Sequence, residues 1–159
     1  MLDKFPEHIA IEKQLPDAVH DWHTDFGDRT LIIDKNAVAK VCKILRDEHG
    51  FNMLVDLTCV DYHPRRPRFE VVYHLLNLDK KARLRLKAIP DDKVPVLPTI
   101  TDLWPIADWL EREVWDLFGI KFEGHPNLKR ILLYEEFKGH PLRKDYPKTK
   151  RQPLVGPQN

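Results

Sequence analysis

The chain has 159 residues, 42% of them hydrophobic, and a formal net charge of +1. That length suits one domain with a short tail, and a domain of this size buries roughly 68–70% of its unfolded surface, enough to need neither disulfides nor a metal. The near-zero charge excludes a global attraction to nucleic acid or membrane, and two cysteines, Cys42 and Cys59, are too few for an iron–sulfur cluster or a structural zinc site.

The N-terminus, Met1 to Pro6, has neither the apolar stretch of a signal peptide nor an arginine-rich transit pattern. Residues 1–28 read as a lead-in, either helix or loop. Asp28 to Ile33 reads as a short strand. Asp34 is placed to cap a helix and Gly50 to stop it, with Val38, Val41, Cys42 and Leu45 on one face. From Asn52 to Tyr62, Met53, Val55, Leu57 and Cys59 alternate with Asp56 and Thr58, which is strand periodicity. After the loop His63–Pro67, Phe69, Val71, Tyr73 and Leu75 form a second long strand. Leu84, Leu86 and Ala88 alternate with Arg83, Arg85 and Lys87 in a third, giving a hairpin with one wet face.

Prolines from Pro90 to Pro98 impose an extended crossing. A second helix is expected from Thr101 or Asp102, with Pro105 in its first turn and Gly119 as its stop. Ile131 to Tyr134 suggests a returning strand. Beyond Phe137 both periods vanish, and Lys138, Arg143, Lys144, Lys148, Lys150 and Arg151 make a proline-broken basic arm with no apolar face. The expected fold is α+β: a mixed or antiparallel sheet covered by two helices over residues 29–137, with an extended basic C-terminal arm over 138–159. No apolar run approaches the ~20 residues of a membrane span.

The second helix carries the strongest signal. Leu103, Ile106, Ala107, Leu110, Val114, Leu117 and Phe118 fill one apolar arc. Trp104 and Trp115 flank an edge of it, while Trp109 lies outside among Glu111, Arg112, Glu113 and Asp116. Tryptophan and arginine are enriched at the centres of protein interfaces, so one side of this helix is expected to face a partner. A helix buried centrally within its own domain is the alternative.

Glu111-Arg112-Glu113, two residues, Asp116-Leu117-Phe118, six residues, His125, three residues, Lys129, then Ile131-Leu132 resembles the signature of the C-type subunit of proton-translocating NADH:quinone oxidoreductase, respiratory complex I. Ala107-Asp108-Trp109, Gly139 to Pro147 and Arg151 to Val155 resemble the same family. The likeness is looser from Val55 onward and thin before Arg29. It implies a member of the hydrophilic arm that binds no prosthetic group, FMN and iron–sulfur clusters being carried by other subunits. It also implies D-type and B-type neighbours beside the quinone site, and a peripheral place on the cytoplasmic face of a bacterial membrane. Related subunits occur in membrane-bound hydrogenases and ferredoxin-linked complexes.

From spacing and resemblance together, the expected subunit interface comprises Trp109, Glu111, Arg112, Glu113, Asp116, His125, His140, Arg143, Lys144, Tyr146 and Arg151. Arg112, Glu113 and Asp116 are expected to form a charge network beside Trp109. Leu142, Tyr146, Leu154 and Val155 are expected to anchor the arm in pockets of a partner. Two rivals stand beside this reading. A metal site would draw on His63, His74, His125 and His140, which show no zinc-like spacing. An RNA-binding module would draw on Arg65, Arg66, Arg68 and the basic tail, which offer only Tyr146 for stacking a base.

Overall fold

A computed structural model describes residues 5–153. The chain opens with helix α1 (Pro6–Gln14), strand β1 (Val19–His23), a 3-10 turn (Asp25–Gly27) and β2 (Thr30–Ile33). Helix α2 (Val38–Asp47) leads to β3 (Met53–Asp61), β4 (Phe69–Asn77) and β5 (Ala82–Ala88). Then follow β6 (Val96–Pro98), α3 (Ala107–Phe118) and β7 (Lys121–Glu123).

Five strands form one mixed sheet in the order β1-β2-β5-β4-β3, with only β2 and β5 parallel. The register puts Leu57, Tyr73, Leu86 and Leu31 in one row across four strands. Cys59, Val71, Ala88 and Ile33 form the next row on the same face. All eight are buried, and they pack with Val38, Val41, Cys42 and Leu45 of α2 and Ala107, Val114 and Phe118 of α3 in one core. Burial pushes the Cys59 thiol up to about 12, so it behaves as a small apolar side chain. The other face of the sheet stays partly wet, with Lys87 paired to Glu70 at 3.0 Å and Arg85 to Asp28 at 2.7 Å.

Several expectations are corrected. Residues before Arg29 belong to the domain: β1 pairs with β2, and α1 buries Ile11 in the same core. In β3 the buried set is Leu54, Leu57, Cys59 and Asp61, while Met53 and Val55 are exposed. A bulge between Leu54 and Asp56 resets the alternation there. Asp34 does not cap α2. Its side chain accepts the Asn36 N–H at 2.8 Å in a turn before the helix, which starts at Val38.

Helix α3 is also shorter than expected. The carbonyl of Ile100 accepts the N–H groups of Leu103 and Trp104, making a separate turn. Trp104 precedes Pro105, which disfavours helical backbone there, so the regular helix begins after the proline. Gly119 ends it at φ +79, as expected. The crossing before α3 contains β6, which pairs in parallel with β7 beyond it. Ile131–Tyr134 is not a strand, for a reason that lies in the site.

Candidate partner-binding site

Helix α3 lies against the sheet through β3, and the chain then wraps around its end. The last carbonyls of a helix lack partners within it. Here Gly119 N–H donates to Trp115 O at 2.8 Å, His140 Nδ1 donates to Asp116 O at 3.0 Å, and Leu142 N–H donates to Leu117 O at 3.0 Å. The His140 ring lies so close to Gly119 that a Cβ there would fall 2.7 Å from it. Glycine at 119 thus serves both the left-handed backbone and the histidine's seat.

Asp116 organises the loop that follows. Its Oδ2 accepts the consecutive N–H groups of Ile131, Leu132 and Leu133 at 3.1, 2.9 and 2.9 Å. Three successive amides converging on one oxygen cannot alternate as in a strand, which is why none forms at Ile131–Tyr134. Its Oδ1 accepts from Arg130 at 2.6 Å, and the same guanidinium donates to Phe137 O and Gly139 O. Burial alone would raise this carboxyl, but the hydrogen bonds from Leu133, Arg130, Ile131 and Leu132 outweigh it and hold it below its ordinary range.

The expected network of Arg112, Glu113 and Asp116 is not assembled. Arg112 turns to the carbonyls of Lys129 and Arg130 at 3.1 and 2.9 Å, and Glu113 is exposed. The cation on Asp116 is Arg130, in place of the expected Arg112. Glu111 is fully buried: Oε1 accepts the Ile100 N–H at 2.7 Å and Oε2 the Thr99 hydroxyl at 2.5 Å, so it ties the β6 exit to α3. Burial raises its carboxyl to about 7 against those two bonds, and nearby Asp108 adds to the rise. His125, its side chain buried, donates from Nε2 to Asp108 O at 3.1 Å and accepts the Asn127 N–H on Nδ1 at 3.0 Å. His125 and His140, each in a Gly-His-Pro triplet (124–126 and 139–141), therefore both fasten loops to α3. Among the described residues no cluster of His, Cys, Asp or Glu is spaced to hold a metal ion.

The remaining predicted residues lie along the arm, and its first part does not leave the domain. Arg143 stacks its guanidinium over Phe69 at 5.1 Å, and the Lys144 N–H donates to Asp61 at 2.8 Å. Tyr146 stacks on Phe137 and accepts from Gln152 at 2.8 Å. Arg151 is exposed. Leu142 is 51% exposed, and Leu154 and Val155 lie outside the described residues. The basic loop is largely neutralised: Arg66 pairs with Asp92, Arg68 with Asp61 and Asp145, and Arg65 sits over the Tyr62 ring. That leaves little free cationic charge there for a phosphate backbone. On the outer side of α3 and its loop, Trp109 (64%), Leu132 (60%) and Ile106 (47%) are exposed.

Residues 31–152 match the family described as respiratory-chain NADH dehydrogenase, 30 Kd subunit. The chain belongs to this family. Within it, the NADH-quinone oxidoreductase C subunit of Erythrobacter litoralis is 47% identical over 140 residues, covering 88% of this chain and 56% of the relative. The C subunit of Citrifermentans bemidjiense is 43% identical over 139 residues, covering 87% and 86%. The chain thus spans little more than half the length of the first of these relatives. The solved structure of a trypsin-resistant fragment of Nqo5 superposes with a TM-score of 0.65 at 35% identity, covering 77% of this chain and 98% of that one. A chain of an archaeal respiratory membrane complex, the membrane-bound sulfane sulfur reductase, superposes at 0.75 with 25% identity, covering 89% and 84%. In this member of the 30 Kd family, no helix among the described residues is long and apolar enough to cross a membrane.

Proposed function

We propose that the chain is a non-catalytic member of the hydrophilic arm of a proton-translocating NADH:quinone oxidoreductase. It supports the passage of electrons from NADH through iron–sulfur clusters to quinone without binding a cofactor itself, while FMN and the clusters reside on other subunits. Its neighbours are the D-type and B-type chains near the quinone site, on the cytoplasmic face of the membrane. The observation that carries this reading is the use of the signature. Glu111, Arg112, Asp116, His125 and His140 are committed to bonds that hold α3, its exit and its loop. What they hold up is an ordered surface bearing Trp109, Leu132 and Leu142, apolar groups that a partner would desolvate.

The likeness to a chain of an archaeal respiratory membrane complex keeps a second assembly in view, a hydrogenase-type or ferredoxin-linked relative with an equivalent subunit. Affinity purification of the full chain from its native membrane, with partners identified by mass spectrometry, separates the two. Recovery with NADH-oxidising subunits is expected. Recovery with a nickel–iron large subunit would assign the chain to the other class, and recovery of the chain without partners would overturn both.

A further inference from the structure

Beyond the signature, the polar contacts of longest sequence range converge on one pair that the family likeness does not single out, Asp61 and Arg68. Arg68 is 7% exposed and donates from Nε and Nη2 to both oxygens of Asp61, at 2.9 and 2.7 Å. Its outer nitrogens also grip Asp145, Nη1 at 2.8 Å and Nη2 at 2.7 Å, across 77 positions of sequence. One guanidinium thus holds two carboxylates in fork geometry, one in the core and one on the arm. Asp61 in turn accepts the Lys144 N–H. Arg68 and Arg143 stack on the same Phe69 ring, at 4.7 and 5.1 Å. Earlier in the arm, the Leu142 N–H and the His140 ring are fixed to the end of α3.

The chain beyond Asp145 is held differently. Gln152 reaches Lys138 O and Tyr146 Oη, Lys150 lies over the Tyr146 ring at 5.3 Å, and Tyr134 Oη reaches Pro153 O. These contacts are largely exposed, and such contacts add little to stability in water. Lys148, Lys150 and Arg151 carry three positive charges with no carboxylate partner among the described residues and no acidic residue from Tyr146 onward.

We propose that Arg68 is a clamp that divides the arm into a permanently docked strap, Gly139–Asp145, and a releasable basic end beginning at Tyr146. The clamp fixes where the end leaves the domain and so where it meets an acidic surface of a neighbouring subunit. This rests on the assembly reading above, yet the division itself is a property of the free chain. Without the clamp the free end would start after Leu142 rather than at Tyr146 and sweep a larger volume, lowering its effective concentration at a partner.

Amide hydrogen exchange on the purified full-length chain tests the division. The Leu142 and Lys144 amides should exchange at least tenfold more slowly than those of Thr149 and Arg151. Arg68→Ala should abolish the slow exchange at Lys144, while Leu142, bonded to Leu117 O, stays slow. Should Arg68→Ala also lose protection at Tyr73 and Leu86, the domain itself has opened, and Asp145→Asn decides, since it leaves the Asp61–Arg68 pair in place. The proposal is overturned by equal exchange along the whole arm in the wild type. It is equally overturned if Lys144 keeps its full protection in Asp145→Asn. Neither result depends on which complex the chain joins, so a failed clamp and a failed assembly reading are told apart.

Discussion

The sheet and the chain beyond Glu123 are ordered by opposite means. In the sheet, backbone ladders and rows such as Leu57–Tyr73–Leu86–Leu31 spread the stabilisation over many buried side chains. Beyond Glu123 there is no helix or strand among the described residues, and Ile131, Leu133 and Phe137 are only half-buried. There the backbone is held by a few charged or polar side chains, most of them making two or more bonds: Asp116, Arg130, Arg112, His125 and His140. Apolar burial is tolerant of single changes in polar groups, whereas a structure resting on one carboxylate is not. That difference fits a dense charged signature to the non-catalytic role proposed above: the charges fix a surface that must keep its shape while remaining polar.

The sharpest way to break the comparison is at Asp116. Asp116→Ala strands Arg130 and three amides, a loss of about 3–5 kcal/mol where one partner of a buried pair is removed. The cost should fall on the loop alone. Exchange at Ile131, Leu132 and Leu133 is expected to accelerate strongly while Tyr73 and Leu86 stay protected. Equal loss at both places would mean that the loop and the sheet are one cooperative unit. The wild-type loop should also loosen in acid. Asp116 is held below the ordinary carboxylate range when folded, so its contribution is complete above that range and is lost as pH falls through its lowered folded value.

How much of this was legible follows the same division. Period two and period 3.6 located α2, β4 and β5, because those elements bury one face and the pattern records it, and Gly119 marked the stop of α3. The same logic missed α1, where Ile9 is exposed and Ile11 buried, and nothing else marks a face. It misphased β3 because a bulge leaves no signature in hydropathy. The signature residues stood out through family resemblance, but the groups they bond within the chain did not. Which cation meets Asp116 depends on how the chain folds back over 14 positions, and spacing along a helix favoured the neighbouring Arg112 over Arg130. Asp61 and Arg68 offered a weaker cue, an aspartate at an inward position at the end of β3 followed seven residues on by an arginine.

Glu111 sits between the two regimes, a charged-type residue inside the core. Its carboxyl is pushed up to about 7 by burial when folded, against an ordinary value near 4.5, with Asp108 adding to the rise and Cys42 and Tyr73 also within its field. Because the folded value is raised, the folded state holds the proton longer than the unfolded one. The resulting stability is complete below the ordinary value and declines as pH rises toward 7, by up to about 3 kcal/mol. Glu111→Gln keeps an acceptor for Ile100 N–H and a polar group for Thr99 without an ionisable proton. Urea unfolding of the two proteins at pH 5 and pH 8 should show a decline in the wild type that the variant lacks. Parallel profiles would mean that Glu111 ionises in the core as easily as in water.

The smallest effect on the domain is expected at Trp109, and there the comparison separates folding from assembly. Its side chain is 64% exposed, so it contributes little to either kind of order, and Trp109→Ser should shift the stability of the isolated chain by no more than about 0.5 kcal/mol. A tryptophan left in water beside Glu111 and Arg112, which are occupied within the domain, offers apolar area that a partner can bury. If it anchors a partner, its removal should weaken binding by about 2 kcal/mol or more, the range of an interface hot spot and some thirtyfold in affinity. Val94 is as exposed as Trp109 but lies on the crossing before β6, so Val94→Ser serves as the matched control. Both variants are carried through membrane solubilisation, and the fraction of the chain retained in the complex is measured. Trp109→Ser should dissociate where Val94→Ser does not. Retention of Trp109→Ser at the level of the control would place the partner on another face of the domain and leave α3 with its structural task alone.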